Sequence, residues 1–132
     1  MGSGGIERRR VLIVDDDPDI RASLRALLEQ EGYAVDDAEH GRAALDLLER
    51  GQRRPSVIVC DLDMPVMDGW KLRQELRSNP RLSDIPVIIA SSISAGVARV
   101  RARLAAAAYL RKPVDPHELL RVVARLGEPR PA

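Results

Sequence analysis

The sequence predicts an α/β fold in which five short strands alternate with five helices. Short apolar runs, separated by segments whose apolar residues recur at helical spacing, give the order βαβαβαβαβα. An alternation of this kind is typical of a parallel sheet with helices packed on both faces. With 132 residues, of which 45% are hydrophobic, the chain suits one domain with a buried core.

Three of the five apolar runs are continuous enough to predict strands covered on both faces, whereas the second is weaker and predicts an edge strand. In chain order the runs are Val11–Val14, Tyr33–Val35, Val57–Cys60, Val87–Ala90 and Tyr109–Leu110, of which the first, third and fourth are the continuous ones. The predicted helices are marked by Ile20–Leu28, Ala44–Leu48, Leu72–Leu76, Val97–Leu104 and Leu119–Leu126. Asp17-Pro18 predicts a capped start of the first helix, with proline as its first residue.

Composition and boundaries narrow the class of protein. Residues 1–9 are interpreted as a flexible leader of the kind that cloning can leave, residues 10–126 as the domain and residues 127–132 as a short tail. The 21 Lys and Arg residues balance 20 Asp and Glu residues, so neither nucleic acid nor a membrane is expected as a direct partner. The single cysteine, Cys60, predicts a buried core residue in a reducing compartment. No apolar run approaches the ~20 residues of a membrane span and no signal peptide is recognised, so we expect a cytoplasmic protein.

Polar side chains that carry chemistry follow four of the predicted strands. The first strand ends in Asp15-Asp16-Asp17, the third in Asp61-Leu62-Asp63 and the fourth in Ser91, and Lys112 follows the fifth. The carboxyl ends of parallel strands lie at one edge of the sheet, where ligands bind in such folds. Crowded carboxylates repel one another, and Mg²⁺, which prefers oxygen ligands and bridges to phosphates, relieves that repulsion. A serine hydroxyl and a lysine are suited to bind phosphoryl oxygens.

Four motifs are similar to those of response regulator receiver domains, the CheY-like phosphorylation modules of two-component systems. The resemblance covers about Arg10 to Leu126 and is carried by Val11–Pro18, Asp61–Gly69, Ile85–Ser91 and Tyr109–Pro113. It implies a flavodoxin-like, doubly wound (βα)5 fold with strand order 2-1-3-4-5. It also implies a phosphorylation-dependent switch that takes a phosphoryl group from a histidine kinase or a histidine phosphotransfer protein. Such a chain is a self-directed phosphoacceptor, with autodephosphorylation, and not an enzyme in the ordinary sense.

The resemblance assigns the metal and the acceptor residue by residue. Asp61 would accept the phosphoryl group, and Mg²⁺ would be the cofactor. Its ligands would be Asp15, Asp16, Asp61 and the backbone carbonyl of Asp63, with Asp16 as a direct ligand.

The remaining matched residues would bind phosphate or form the switch. Lys112, which would precede a cis proline, and Ser91 would act with Asp61 in the phosphoryl transfer. Ser91 and Tyr109 would be the switch, since Tyr109 would fill the cavity that opens when Ser91 moves toward the phosphoryl group.

Departures from the family pattern fall in the region that usually contacts partners. Ala105–Ala108 replace the common Gly-Ala, the segment between Ser91 and Lys112 is slightly short, and Val114 stands where an aromatic residue is common. We expect phosphoacceptance to be intact. We also expect an unknown downstream protein to bind the surface formed by the predicted fourth helix, fifth strand and fifth helix.

Two alternatives remain. We expect a stand-alone regulator, and the alternative is a receiver module excised from a hybrid kinase or a multidomain regulator. The second alternative is a phosphatase, because Asp61-Leu62-Asp63 after a strand also resembles the first motif of haloacid-dehalogenase-type enzymes. In those enzymes the first aspartate is the nucleophile and the second is the general acid. That interpretation leaves Asp15 and Asp16 unexplained.

Overall fold

The computed structural model describes residues 9–51, 54–62, 67–92 and 106–127. Its strands are β1 (Arg10–Val14), β2 (Ala34–Ala38), β3 (Val57–Asp61), β4 (Val87–Ser91) and β5 (Ala108–Arg111). The helices of these ranges are α1 (Pro18–Gln30), α2 (Gly41–Arg50), α3 (Gly69–Ser78) and α4 (Pro116–Leu126). The fourth helix predicted from the sequence lies outside the described residues, so α4 is the predicted fifth helix.

The five strands form one parallel sheet in the order β2-β1-β3-β4-β5, which confirms the predicted fold. The strand β1 lies between β2 and β3, and its Val11 pairs with Val35 of β2 and with Val57 of β3. The chain order therefore reverses between β1 and β3, and the crevice at such a point is where ligands bind in doubly wound folds.

Both faces of the sheet are covered, as the continuous apolar runs predicted. Successive residues of a strand point to opposite faces, so Leu12 and Val14 pack in one core layer and Val11 and Ile13 in the other. The first layer includes residues of α2 and α3, such as Ala44 and Leu72. The second includes Leu28 of α1 and Leu119 and Val123 of α4.

The second strand lies at the edge of the sheet, as predicted, but it extends further than its apolar run. Asp36 and Asp37 continue it, and both are held by arginines from neighbouring elements. Arg10 of β1 contacts Asp36 at 2.9 Å, and Arg25 of α1 contacts Asp37 at 3.1 Å. Charged residues on an edge strand also discourage pairing with other chains.

Individual residues set the ends of the elements around the acidic turn, which consists of Asp15, Asp16 and Asp17. The Asp17 side chain caps α1 by accepting a hydrogen bond from the Asp19 amide at 2.9 Å, and Pro18 is the first helical residue, as predicted. At the start of α3, a Cβ on Gly69 would lie 2.6 Å from the carbonyl oxygen of Asp61. Only a glycine allows this approach, which holds the start of α3 against the end of β3. None of the described helices is long and apolar enough to cross a membrane.

Candidate phosphoacceptor and metal site

Three carboxylates, those of Asp15, Asp16 and Asp61, form an acidic cluster at the carboxyl edge of the sheet. Asp15 directly follows β1, Asp61 is the last residue of the adjacent β3, and ligand atoms of Asp15, Asp16 and Asp61 all lie within 4.8 Å of one another. Asp15 and Asp61 are 3% and 7% exposed, whereas Asp16 is exposed. Carboxylate oxygens at this spacing are suited to hold a hard cation such as Mg²⁺.

The backbone and a side chain of α1 fix the acidic turn. Asp15 Oδ1 accepts a hydrogen bond from the Asp17 amide at 2.9 Å. Arg21 Nη1 donates to the backbone carbonyl of Asp15 at 2.7 Å, and its Nε lies 3.9 Å from Asp37 Oδ1. The sequence interpretation did not single out Arg21. The available signal was an arginine in the second turn of a helix that begins directly after an acidic turn.

Lys112 provides the cation of the site. Its Nζ donates to Asp15 Oδ2 at 2.9 Å and lies 3.4 Å from Asp61 Oδ2, with the lysine side chain 19% exposed. Partial burial lowers the pKa of Lys112, but the hydrogen bond and charge of Asp15 and the charge of Asp61 outweigh it, so the pKa is raised above its usual value. The Lys112–Pro113 peptide bond is cis, as the resemblance implied.

The two predicted switch residues are both buried. Ser91 ends β4 and is 1% exposed, and its backbone carbonyl accepts a hydrogen bond from the Lys112 amide at 2.9 Å. Tyr109 of β5 is 8% exposed and packs in the same core layer as Ile89, with which it is paired in the sheet. Asp63, the remaining predicted site residue, lies outside the described residues.

Cys60 is a buried core residue, as predicted, with 1% exposure. Burial, with the negative charges of Asp61 and Asp15 added, raises the pKa of its thiol far above the usual value. The thiol is therefore kept protonated and unreactive beside the acidic cluster.

A cavity of about 530 Å³ opens beside the acidic cluster. Asp15, Asp61 and Lys112 line it, together with apolar side chains of α1 and of the loop after β5, such as Ile20 and Val114. The polar groups of the site therefore face a space that a reacting group can enter.

Comparisons with known proteins decide the family. The family model described as the response regulator receiver domain matches residues 11–124. The chain belongs to the response regulator receiver domain family. Proteins of this family are the receiver domains of two-component systems, which interact with histidine kinases and downstream effectors and bind Mg²⁺ at an acidic pocket.

Curated relatives differ in how much of their length the receiver domain matches. A Leptolyngbya boryana protein, named as an uncharacterized 14.6 kDa protein in the sodA1 3′ region, is 43% identical over 114 residues, which are 86% of each chain. Response regulator MprA of Mycolicibacterium vanbaalenii is 41% identical over 84% of this chain. Response regulator Rre1 of Synechocystis is 34% identical over 88% of this chain. The chain spans about half the length of these two regulators, 47% and 50%.

Solved structures share the fold over nearly the whole chain. The receiver domain of a signal transduction histidine kinase from Syntrophus aciditrophicus has a TM-score of 0.83 and 34% identity, covering 94% of this chain and 95% of that chain. Chemotaxis protein CheY4 of Vibrio cholerae has a TM-score of 0.82 and 30% identity, covering 91% and 99%.

The raised pKa of Lys112 predicts a pH-dependent contribution to stability. Because the folded pKa exceeds the unfolded one, the contribution is complete below the usual value of 10.5 and is lost as the pH rises through the folded pKa. Urea unfolding of wild type and Lys112→Met should therefore show a difference in free energy that shrinks above about pH 10.5. Lys71→Met is the control, because the 3.3 Å pair of Lys71 with Glu75 is exposed. A difference that grows with pH would contradict this assignment.

Proposed function

We propose that the chain is a Mg²⁺-dependent phosphorylation switch in which Asp61 accepts a phosphoryl group from a phosphohistidine of a histidine kinase or a phosphotransfer protein. The observation that supports this most directly is the meeting of Asp15, Asp16 and Asp61 with the Lys112 ammonium at one edge of the sheet. A nucleophilic carboxylate, a metal-binding carboxylate pair and a fixed cation are the groups that phosphoryl transfer to aspartate needs.

Asp15, Asp16 and Asp61 would hold the metal, with the backbone carbonyl of Asp63 as a further ligand. Lys112 balances one of the three negative charges, so negative charge remains for a divalent cation to neutralise. Asp16 is exposed and can reach an ion that enters from solvent. When bound, Mg²⁺ would supply positive charge to the phosphoryl oxygens and offset repulsion between them and the carboxylates.

The transfer itself would be carried by the chain's own groups. A carboxylate oxygen of Asp61 forms the new bond to phosphorus while the bond between phosphorus and the histidine nitrogen breaks, and the nitrogen keeps the electron pair. Lys112 pairs with the transferred oxygens, and the Ser91 hydroxyl donates a hydrogen bond to one of them. Hydrolysis of the acyl phosphate resets Asp61, so the chain is a self-directed phosphoacceptor and not a turnover enzyme.

The output would pass through the surface that β5 and α4 form with the predicted fourth helix. Its partner is a downstream protein, and the departures from the family pattern at Ala105–Ala108 and Val114 belong to this region. MprA and Rre1 are about twice as long as the region that matches this chain. The second candidate function is therefore that of a receiver module within a larger regulator.

Binding of Mg²⁺ should stabilise the fold of the wild type, by about 1.4 kcal/mol at a concentration ten times Kd. Asp16→Ala removes a ligand and should lose most of this gain in thermal unfolding. Arg21→Ala releases the Asp15 carbonyl and should require about tenfold more Mg²⁺ for the same gain. Arg25→Ala is the matched control, since Arg25 also binds Asp37 and its other ion pair is with Glu29 rather than with the acidic turn. Equal responses of wild type and Asp16→Ala would disprove the ligand assignment.

Acetyl phosphate with Mg²⁺ should add one labile phosphoryl group to Asp61. Asp61→Asn should abolish the modification, because an amide is not a nucleophile. Asp63→Asn should retain it, since Asp63 is proposed to act through its backbone carbonyl. Mass spectrometry locates the group. A chain that hydrolyses a phosphomonoester with steady turnover, and loses this activity in Asp63→Asn, would be a haloacid-dehalogenase-type phosphatase instead.

Ser91 and Tyr109 should respond together to phosphorylation while the sheet keeps its register. Tyr109 as a residue is 8% exposed in this structure, so we expect its ring to populate the inward state in part and the phosphate mimic beryllofluoride to shift that population. NMR with and without beryllofluoride measures the rotamer populations of Tyr109 and the chemical shifts around Ser91. A ring with one rotamer in both states would rule out Tyr109 as the switch.

A further inference from the structure

An arginine-lined cleft lies at the edge of the sheet opposite the acidic cluster. Its volume is about 880 Å³, and it runs beneath the amino ends of β1, β3, β4 and β5. Among the described residues, four arginines and one carboxylate line it. These are Arg9, Arg54, Arg73, Arg125 and Asp84. Since the whole chain carries a net charge of only +1, the excess of positive charge among these described residues results from how the fold brings them together.

The carboxylate in the cleft is paired with one of its arginines. Arg54 contacts Asp84 and also donates to the backbone carbonyl of Arg81 at 2.8 Å. Within the described part of the chain, Arg9 and Arg125 form no ion pair. Burial lowers the pKa of Arg73, and so does the positive charge of Arg77, which lies one turn further along α3 and outside the cleft.

The rest of the lining indicates which anion fits. Hydroxyls of Ser56 and Ser83 add hydrogen-bond donors, and apolar side chains such as Ile85, Val87 and Leu126 form the walls. None of the described residues that line the cleft is aromatic, so they offer no stacking surface of the kind on which nucleotide bases usually bind. Guanidinium groups bind carboxylates in a bidentate manner, and a cleft of this size is larger than one small anion needs.

We propose that this arginine-lined cleft binds an acidic peptide segment of a partner protein, in which Asp or Glu residues alternate with apolar residues. The acidic side chains bind the arginines and the apolar ones contact the walls. The cleft and Asp61 lie at opposite ends of β3, roughly 15 Å apart along a strand of this length. Binding at the cleft therefore leaves the phosphoacceptor edge open, and it does not depend on the function proposed for that edge.

Fluorescence anisotropy with a labelled peptide of alternating glutamate and leucine tests the proposal. Wild type should bind, and affinity should fall as ionic strength rises. Arg9→Gln/Arg125→Gln should weaken binding at least tenfold. Arg42→Gln/Arg121→Gln, which removes the same charge from exposed positions outside the cleft, should bind as wild type does.

Four further arms make the result decisive. Circular dichroism confirms that each variant is folded, and single Arg125→Gln, at an exposed position, substitutes for the double variant if that one unfolds. A peptide with glutamine in place of glutamate should not bind. Equal weakening by both double variants, or tighter binding of a single-stranded oligonucleotide of the same charge, would overturn the proposal. Asp61→Asn should bind the peptide normally, so failure here is distinguishable from failure of the phosphoacceptor proposal.

Discussion

The repulsion between carboxylates that two adjacent strands bring together is the constraint on which the arrangement of the sheet's carboxyl edge depends. Asp15 and Asp61 are nearly buried, and ionised carboxylates in such positions lose much of their hydration. Lys112, which lies 97 positions from Asp15 in the chain, reaches both of them. The strands have to pair in the observed order for the Lys112 ammonium to lie beside both carboxylates.

A buried group of charges is a weak source of stability, because desolvation offsets much of the attraction. The stabilisation of this fold comes instead from the two apolar layers on either side of the sheet. The carboxyl edge of the sheet can therefore keep an excess of negative charge. Apolar residues in the same positions would avoid the cost of desolvating those charges. That excess suits the same edge to hold a divalent cation such as Mg²⁺.

The charged residues of the edge strand serve the site as well as the sheet. Asp37 is held by Arg25 and lies near Arg21, and Arg21 also binds the backbone of the acidic turn. A continuous set of contacts therefore leads from β2 through α1 to Asp15. The arginine-lined cleft at the other end of the strands has the opposite charge, so the two edges of one sheet are suited to different ligands.

Local patterns in the sequence determined the strands and the first helix cap, and they predicted which polar residues lie at the carboxyl edge of the sheet. Buried strands are apolar whatever their order, a cap depends on a few neighbouring residues, and parallel strands always bring their carboxyl ends to one edge. The domain boundaries, the roles of the site residues and the predicted fourth helix remain predictions. Only the tertiary structure decided the extension of β2 through Asp36 and Asp37, the contact of Arg21 with Asp15 and the gathering of Arg9, Arg54, Arg73 and Arg125. Polar side chains carry no periodic signal for their partners, because which charges meet depends on strand order and helix packing rather than on spacing along the chain.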